Sequence, residues 1–338
     1  MSSRKRNQIG ITLIAAVIAV VAVWILTQSK HTSGPVVLGL RLKWLYDPSF
    51  AGEMVASKNG LFEKRGMKIN IHPGGFESDP IKLVANGSDT FGVAGADSFL
   101  IGRGKDIPIV AFAAGFIETP VVFYSKADTE IQTPTDWRGK RIGIQPGQDT
   151  ETIYRVLLTK SGLTKNDVTE VPVKYDFSPF LTGRLDVWPG YAATQSYILH
   201  QKGIPYRTLT PSEFGVKYIG TVYFTTETVL KEHPEWVRQF LAAVIEGWEL
   251  TYSNREAAIK AISAFDPKTF TPDLIDWNLE KQKPFIQPEG TRFCQFTITA
   301  FDEMQRILRD QGLLKTELDL SKAINVEFLK SYYSTTPR

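Results

Sequence analysis

Residues 139–158 read GKRIGIQPGQDTETIYRVLL and predict a strand, a tight turn and a helix in direct succession. The strand is expected over Arg141 to Ile144, the turn carries Gly147, and the helix begins near Asp149 or Thr150, either of which can cap it. The first backbone N–H groups of such a helix have no partner within the helix and point at whatever lies in front of the turn. The stretch therefore predicts either a ligand site or an ordinary capped turn. The sequence on both sides of it distinguishes between these two possibilities.

The same order of strand and helix recurs on both sides of this stretch. Upstream, residues 36–42 predict a strand, residues 52–59 a helix and residues 67–72 a second strand. Downstream, residues 185–188 predict a strand that ends in a turn at Pro189-Gly190. Strands that alternate with helices build a sheet with helices on its faces, so the chain is expected to have an α/β fold.

Two extended segments are predicted to divide the fold into two lobes. Pro120 to Ser125 leads out of the first α/β unit, and Gly220 to Thr225 leads back to it. Lobe 1 is then expected to comprise residues 36–122 and 223–338, and lobe 2 residues 123–222. Two such crossings would form a double-strand hinge, and hinge closure around a small ligand is the expected motion.

The chain begins with a basic segment followed by an apolar one. Ile9 to Leu26 contains no charge and follows Arg4, Lys5 and Arg6, which fits either a signal peptide or a spanning helix. No cleavage site of small residues is evident in TQSKHTSG, so an uncleaved anchor is favoured over secretion after cleavage. We expect residues 1–8 to be cytoplasmic, 9–27 to be the membrane anchor and 28–35 a linker, with the remainder on the extracytoplasmic face.

Charge and residue usage exclude several classes of protein. The formal net charge is +3, and four of the basic residues flank the apolar segment, so the remainder offers no basic surface to a nucleic acid. The four histidines are scattered without metal-ligand spacing, and no nucleophile and base are paired. The single cysteine, Cys294, is expected to fill the core. No catalytic residue, metal or cofactor is therefore predicted.

Several motifs resemble one family of transport proteins. The chain is similar to the solute-binding proteins of the thiamine-pyrimidine-precursor and nitrate/sulfonate/taurine group over roughly Val36 to Ala264. The motifs that carry the resemblance are KWLYDPSFAGEMVASKNGLFEKRGMKINIHPGG at 43–75, LVANGSDTFGVAGADSFLIGRGKDIPIVAFAA at 83–114, WRGKRIGIQPGQDTETIYRVLL at 137–158, FLTGRLDVWPGY at 180–191 and VLKEHPEWVRQFLAAVIEGWE at 229–249. The resemblance implies a two-lobe periplasmic-binding-protein fold of the Venus-flytrap type. It also implies a small-molecule ligand and an ABC importer permease as partners, and we expect a monomer.

One branch of this family is enzymatic, and the chain departs from its pattern. The fungal pyrimidine synthases consume one of their own histidines and carry a cysteine cluster. The histidine position is similar to Ser98 here, and the cluster would fall at 216–222, which reads VKYIGTV. An enzyme of this kind is therefore disfavoured. A sensory module fixed to the membrane without a permease remains an alternative to the transport role.

The predicted ligand contacts lie in loops at the carboxyl ends of strands, where open sheets of this type bind ligands. Aromatic side chains offer flat faces, carboxylates and amides offer acceptors, and glycines allow close backbone approach. The expected contacts are Trp44, Tyr46, Asp47, Phe50, Gly75, Asp97, Ser98, Glu118, Gln145, Gly147, Asp149, Thr150, Trp188 and Tyr191. Each aromatic could equally serve packing, Asp47 could be a turn residue, and Glu118 could be a solvated charge.

The acceptors in this set predict the chemistry of the ligand. Asp149 would repel a bare sulfonate or nitrate at the helix N-terminus, and the predicted loops contain no arginine to offset it. A planar heteroaromatic ring with N–H or amino groups suits the set better, which favours a thiamine-type pyrimidine precursor or a flavin-like ring. Trp44 or Tyr46 would lie below the ring and Trp188 or Tyr191 above it. Sulfonate, taurine or nitrate remains the alternative ligand.

Overall fold

The computed structural model describes residues 34–75, 77–174 and 176–335, so the expected anchor at 9–27 lies outside the described residues. The strands are β1 (Val36–Arg41), β2 (Met67–His72), β3 (Phe91–Gly95), β4 (Ile109–Phe116), β5 (Val121–Lys126), β6 (Arg141–Ile144), β7 (Thr169–Pro172), β8 (Trp188–Tyr191), β9 (Tyr206–Leu209) and β10 (Thr221–Thr226). The α-helices are α1 (Ala51–Lys58), α2 (Pro80–Ala85), α3 (Ala96–Arg103), α4 (Asp149–Lys160), α5 (Ser178–Leu181), α6 (Thr194–Gln201), α7 (Glu227–Glu232), α8 (Pro234–Ser253), α9 (Arg255–Ser263), α10 (Pro272–Ile286), α11 (Ile298–Asp310), α12 (Leu320–Ala323) and α13 (Glu327–Thr335). Short 3-10 helices occupy Pro48–Phe50, Glu63–Arg65, Pro134–Trp137, Lys165–Asp167 and Pro211–Phe214. Within these ranges we find no helix with the length and apolar character needed to cross a membrane.

The first sheet has the strand order β2-β1-β3-β10-β4. β1 and β3 run parallel, whereas β10 runs antiparallel to both β3 and β4. Every residue of β3 and β4 is buried, without the alternation of a one-sided strand. Helices cover both faces of such a sheet, so continuous apolar sequence is what its central strands require.

The second sheet repeats this order. β5 pairs antiparallel with β8 and β9, and β6 pairs parallel with β7. A bridge between Ile142 and Val187 joins the two parts, which gives the order β7-β6-β8-β5-β9. In each sheet the fourth strand is the antiparallel one, β10 in the first and β5 in the second. Each of these strands is connected along the chain to the other sheet.

The segments expected to cross between lobes are themselves strands within the sheets. The connections proper are residues 117–120, between β4 and β5, and residues 210–220, between β9 and β10. β5 and β10 therefore span the lobe boundaries that we predicted at 122/123 and 222/223. Those boundaries and the hinge motion remain predictions.

Strand β8 corrects one expectation. Pro189 and Gly190, expected to form a turn, lie inside β8 and pair with Phe123 and Val122 of β5. Proline lacks the N–H that a ladder on both sides would require. The pairing between β6 and the segment of β8 accordingly ends at Val187. The Pro189 ring packs against Gly143, where an added Cβ atom would lie 3.3 Å from the Pro189 Cδ.

Candidate ligand-binding cleft

A cavity of about 390 Å³ lies between elements of the two sheets. Lys43 and Trp44, which follow β1, form part of its wall, and Asp97 at the start of α3 forms another part. The second sheet contributes Gly147 and Asp149 from the turn that begins α4. The volume is in the range of small-molecule sites. The turn that the sequence predicts before α4 therefore lines a cavity.

An ion pair connects the two sheets beside this cavity. The Lys43 Nζ lies 2.9 Å from Asp149 Oδ2 and donates a hydrogen bond to the Tyr191 hydroxyl at 2.7 Å. The Tyr191 hydroxyl in turn donates to Asp149 Oδ2 at 2.9 Å. Lys43 belongs to the first sheet, whereas Asp149 and Tyr191 belong to the second. These three side chains, which we call the Lys43 triangle, therefore join the two sheets beside the cavity.

The charges of the triangle reinforce one another. Burial would raise the pKa of Asp149, but the Lys43 ammonium and the hydrogen bonds from Tyr191 and the Thr150 N–H hold that pKa below its usual range. Burial would lower the pKa of Lys43, but Asp149, Tyr191 and Asp97 raise it well above its usual range. Both groups are therefore charged at neutral pH, and each stabilises the charged form of the other.

Asp97 is the second carboxylate of the cleft, and its environment differs. Burial, followed by the nearby charge of Asp149, raises its pKa, and Lys43 only partly opposes this. Its Oδ1 accepts a hydrogen bond from the Ser98 N–H at 2.7 Å. Two carboxylates with pKa values displaced in opposite directions therefore share one lysine.

The start of α4 differs from the predicted cap. The N-cap residue is Gln148, and its side chain makes no capping bond. Asp149 lies inside the first turn, where its Oδ1 accepts from the Thr150 N–H at 2.8 Å. Glu151 Oε2 accepts from the N–H of Gly147, at 2.8 Å, and Gly147 has the positive φ of 76° that favours glycine. The expectation that Asp149 or Thr150 caps the helix was wrong, and the second oxygen of Asp149 is free to bind Lys43.

Half of the predicted contacts are brought together by the fold. The residues that line the cavity or belong to the Lys43 triangle are Trp44, Gly75, Asp97, Ser98, Gly147, Asp149 and Tyr191. They come from the ends of β1, β2, β3 and β8 and from the start of α4. Whether they contact a ligand remains a prediction.

Three predicted contacts from the loop after β1 serve packing and turn formation instead. The Tyr46 hydroxyl donates to the backbone oxygen of Ile71 at 2.9 Å, and its ring packs against Phe265. Asp47 caps the 3-10 helix Pro48–Phe50 by accepting from the Ser49 N–H, which is the turn role left open above. Phe50 is buried in the core. In this loop, only Trp44 among the predicted aromatic residues lines the cavity.

Trp188 does not reach the cavity. Its side chain is fully buried in the core of the second sheet, where its ring meets Phe177 edge-on at 5.2 Å. Burial of this kind contradicts the expected stacking role of Trp188 above a ligand. The reason is the register of β8, because alternate residues of a strand point to opposite faces and Trp188 points into the helix-covered face.

The three remaining predicted contacts also lie outside the wall of the cavity. Thr150 is buried and donates its hydroxyl proton to Gln145 Oε1 at 3.0 Å. Glu118 lies in the connection between β4 and β5, where its backbone N–H donates to the oxygen of Phe285. Gln145 and Thr150 therefore shape the turn before α4, and Glu118 lies in the connection between the sheets.

Sequence reasoning missed Lys43. The signal was its position directly after the first strand in the quoted motif KWLYD, but only arginine was considered as a partner for an anion. Lys43 supplies the positive charge beside Asp149 that the argument against anionic ligands took to be absent. An anionic ligand is therefore less disfavoured beside this helix than the sequence suggested. Among the residues that the structure describes, no group of three or more histidine, cysteine, aspartate or glutamate side chains could hold a metal ion.

Comparison with known proteins agrees with this architecture. The chain is 25% identical over 304 residues to the riboflavin-binding protein RibY of Chloroflexus aurantiacus, and the aligned region covers 86% of this chain and 85% of that protein. It is 25% identical over 214 residues to the formylaminopyrimidine-binding protein of Halalkalibacterium halodurans, which covers 62% of this chain and 64% of that protein. Its fold matches the periplasmic aliphatic sulphonate binding protein SsuA from Escherichia coli with a TM-score of 0.70 at 20% identity, over 86% of this chain and 92% of that one. The family described as NMT1/THI5 like matches residues 47–258, well over half of the chain, and the protein therefore belongs to the NMT1/THI5-like family.

Proposed function

We propose that this protein is an extracytoplasmic solute-binding protein of an ABC importer and holds a small planar heteroaromatic ligand between its two sheets. The observation that carries the proposal is the composition of the cavity, whose wall includes Trp44 together with the charged groups Lys43, Asp97 and Asp149. An aromatic side chain and several fixed polar groups around one cavity are what a flat, hydrogen-bonding ring requires.

The energetic contributions of these groups differ in kind. Stacking on Trp44 would contribute about 0.5–1.5 kcal/mol beyond the area buried, and it would not distinguish one flat ring from another. The polar groups would supply selectivity, because a ring that lacks matching N–H groups leaves buried acceptors without partners. The names of the riboflavin-binding and formylaminopyrimidine-binding relatives support ligands of this type.

A sulfonate-type anion is the second candidate, and one observation favours it. The Lys43 ammonium stands beside the first turn of α4, where backbone N–H groups and the helix dipole also favour negative charge. Asp149 already occupies that place in the present structure. An anion would therefore have to displace Asp149 from Lys43, whereas a neutral or cationic ring would not.

The proposal includes a partner and a location. An importer requires a permease that receives the ligand, and the binding protein must lie outside the cytoplasm. The apolar segment at 9–27 would provide either an uncleaved anchor or a signal that is removed after export. We propose no reaction for the cleft.

A thermal-shift screen of the full-length protein in detergent tests the proposal. The panel contains aminopyrimidines, thiamine, riboflavin, taurine, alkanesulfonates and nitrate. A ligand present at about 100 times its Kd stabilises the folded state by about 2.7 kcal/mol, which a melting curve resolves. Trp44→Ala should abolish the shift given by a planar ring. Trp236→Ala is the matched control, because Trp236, in the first turn of α8, stacks on His233 just before the helix, and neither residue lines the cavity.

The outcomes separate the candidates. A shift with an aminopyrimidine or flavin that Trp44→Ala removes and Trp236→Ala keeps supports the proposal. A shift with alkanesulfonates alone overturns it in favour of the anion. A shift with a planar ring that survives Trp44→Ala contradicts the role of the cavity wall.

A further inference from the structure

Helix α10 contacts elements of both sheets. The buried Gln282 side chain donates a hydrogen bond to the backbone oxygen of Pro48, in the loop after β1, at 2.9 Å. The backbone oxygen of Leu279 accepts one at 3.1 Å from the Tyr252 hydroxyl of α8, the helix that packs on β3. These bonds hold α10 to the first sheet, whereas Phe285 near its end packs against the core of the second. Helix α10 therefore lies across the boundary between the sheets.

Trp277 makes the contacts of α10 with helix α6. Its indole N–H donates a hydrogen bond to Ser196 Oγ at 2.9 Å. Its ring stacks on the His200 ring, with centroids 4.4 Å apart and an angle of 24° between the planes, and meets the Tyr197 ring at a steep angle. Helix α6 belongs to the second sheet, because its Leu199 lies in the core of that sheet. One side chain thus joins the two sheets by a hydrogen bond and a ring stack.

Ser196 is placed to accept this bond. It is 2% exposed, and its own hydroxyl proton is directed at the backbone oxygens of Ala192 and Ala193, at 2.5 and 2.9 Å. A serine hydroxyl has one proton and two lone pairs, so its oxygen can accept the indole N–H while its proton is bonded to the backbone. Separation of α10 from α6 would break this bond and unstack the rings of Trp277 and His200.

These contacts lie away from the cavity. Trp277, Ser196 and His200 are not part of its wall. Trp277 and Phe285 are eight residues apart, so they lie on one stripe of α10 and are separated by about 12 Å along the helix. The two sheets are therefore held together along this stripe as well as at the Lys43 triangle.

We propose that the contact of Trp277 with Ser196 and His200, which we call the Trp277 latch, favours the arrangement in which the sheets enclose the cavity and so sets how tightly the cleft holds its ligand. Trp277 is then a positioning residue, because it acts on the placement of the sheets without contacting the ligand. The latch does not depend on the identity of the ligand, whereas its effect on affinity rests on the proposed function. A ligand that binds the closed arrangement loses affinity in proportion to the population of that arrangement in the free protein.

The separation of the sheets in the ligand-free protein tests the latch directly. Lys105, on the first sheet's side of the cavity, and Lys174, after β7 in the second sheet, are both exposed. Spin labels on Lys105→Cys and Lys174→Cys in the full-length protein report the distance between these positions by pulsed electron paramagnetic resonance. Cys294 is fully buried, so it should not react with the label in the folded protein. Trp277→Ala should move part of the distance distribution to longer distances.

Trp236→Ala is the matched control for this measurement. Trp236 also stacks on a histidine, His233, with centroids 3.7 Å apart, but both residues precede or begin α8 and neither contacts the second sheet's α6 in this stack. The control removes the same kind of ring pair and should leave the distance distribution unchanged. An unchanged distribution in Trp277→Ala would overturn the latch, because the contact would then contribute nothing measurable to the placement of the sheets.

Two further variants test the two parts of the latch. Trp277→Phe keeps a ring against His200 but removes the N–H donor, so its distance distribution should lie between those of the wild type and Trp277→Ala. His200→Ala removes the stack from the second sheet at an exposed position. Combined with Trp277→Ala it should add little, because both substitutions remove the same stack. Fully additive effects would overturn the direct contact between the two rings.

Affinity provides the second measurement. Titration calorimetry uses riboflavin or 4-amino-2-methylpyrimidine, whichever stabilises the protein in the thermal-shift screen. Trp277→Ala should weaken binding roughly five- to fiftyfold, as expected for the loss of one hydrogen bond and one ring stack, and Trp236→Ala should not change it. A longer separation of the sheets with unchanged affinity would overturn the effect on affinity and leave the latch.

Failure of the latch can be told apart from failure of the proposed function. If neither probe binds, the proposed function fails for planar rings, and the distance measurement still decides the latch. If a probe binds and Trp277→Ala changes neither its affinity nor the distance distribution, the latch fails and the proposed function stands. His200→Ala acts from an exposed position, so the latch can be tested even if Trp277→Ala does not fold.

Discussion

The buried carboxyl group of Glu53 should make the stability of this protein fall between pH 5 and pH 8. Glu53 lies in the first turn of α1 and is 1% exposed. Its Oε1 accepts a hydrogen bond from the Tyr223 hydroxyl at 2.9 Å, and that hydroxyl also accepts from the Trp248 indole N–H at 3.2 Å. Its Oε2 has no partner among the described residues. The uncharged form of the side chain therefore suits this place better than the charged form.

The magnitude follows from the displacement of the pKa. Burial raises the pKa of Glu53 from its ordinary value of 4.5 to about 7, against the smaller opposing effects of hydrogen bonds from its backbone and from Tyr223. The folded state thus binds this proton more tightly than the unfolded state. The resulting stabilisation is complete below the unfolded pKa and is lost as the pH rises through about 7. At about 1.4 kcal/mol per unit, the loss between pH 5 and pH 8 is about 2–3 kcal/mol.

Urea denaturation of the wild type and of Glu53→Gln at pH 5 and pH 8 measures this loss. Glutamine keeps an acceptor for Tyr223 and does not titrate, so the change in unfolding free energy between the two pH values should be about 2–3 kcal/mol smaller in the variant. Glu232→Gln, on the exposed surface of α7, is the control and should behave as the wild type does. The same pH dependence in the wild type and in Glu53→Gln would refute the reasoning, because all other titrating groups are common to both.

Two further substitutions test packing and charge. Gly52→Ala places a Cβ against the Trp248 indole nitrogen, and we expect the free energy of unfolding to fall by about 1–3 kcal/mol in thermal or urea denaturation. Unchanged stability would contradict the close packing of α1 on α8. Lys43→Met leaves Asp149 buried without its partner and should destabilise the protein by about 3 kcal/mol at neutral pH. In a double-mutant cycle with Asp149→Asn the losses should couple by more than about 0.5 kcal/mol, and simple additivity would show that the two charges do not interact.

Several strands of the two sheets were predictable because each one is encoded by its own local sequence. The strands expected at 67–72 and 141–144 have those bounds in the structure, and the apolar run that begins at Ile109 is the fully buried strand β4. A buried central strand needs no alternation, so a short apolar run bounded by turn residues is a sufficient signal. The order of these elements along the chain predicted the α/β fold, and the resemblance to solute-binding proteins agreed with that prediction.

The side chains of the cleft were less predictable, because they depend on register and on contacts between distant segments. Trp188 lies on β8 but points away from the cleft, into the core. The direction of its side chain was not predictable, because Pro189 led us to predict a turn where the structure has a strand. Lys43 and Asp149 are 106 residues apart, and no local pattern announces that they meet. We expected Asp149 to cap the helix because the local sequence favours a cap there. In the structure its Oδ2 instead accepts a hydrogen bond from the distant Lys43 ammonium.

The Lys43 triangle connects the architecture to the proposed function, because it joins the two sheets beside the cavity. Lys43 is fixed at the end of β1 and Asp149 at the start of α4, so any motion that separates the two sheets at this point must also separate this ion pair or admit water to it. The pair therefore favours the arrangement in which the two sheets are held together. An anion that bound Lys43 would have to take the place of Asp149 and would lose this contribution, whereas a neutral ring could bind with the pair intact.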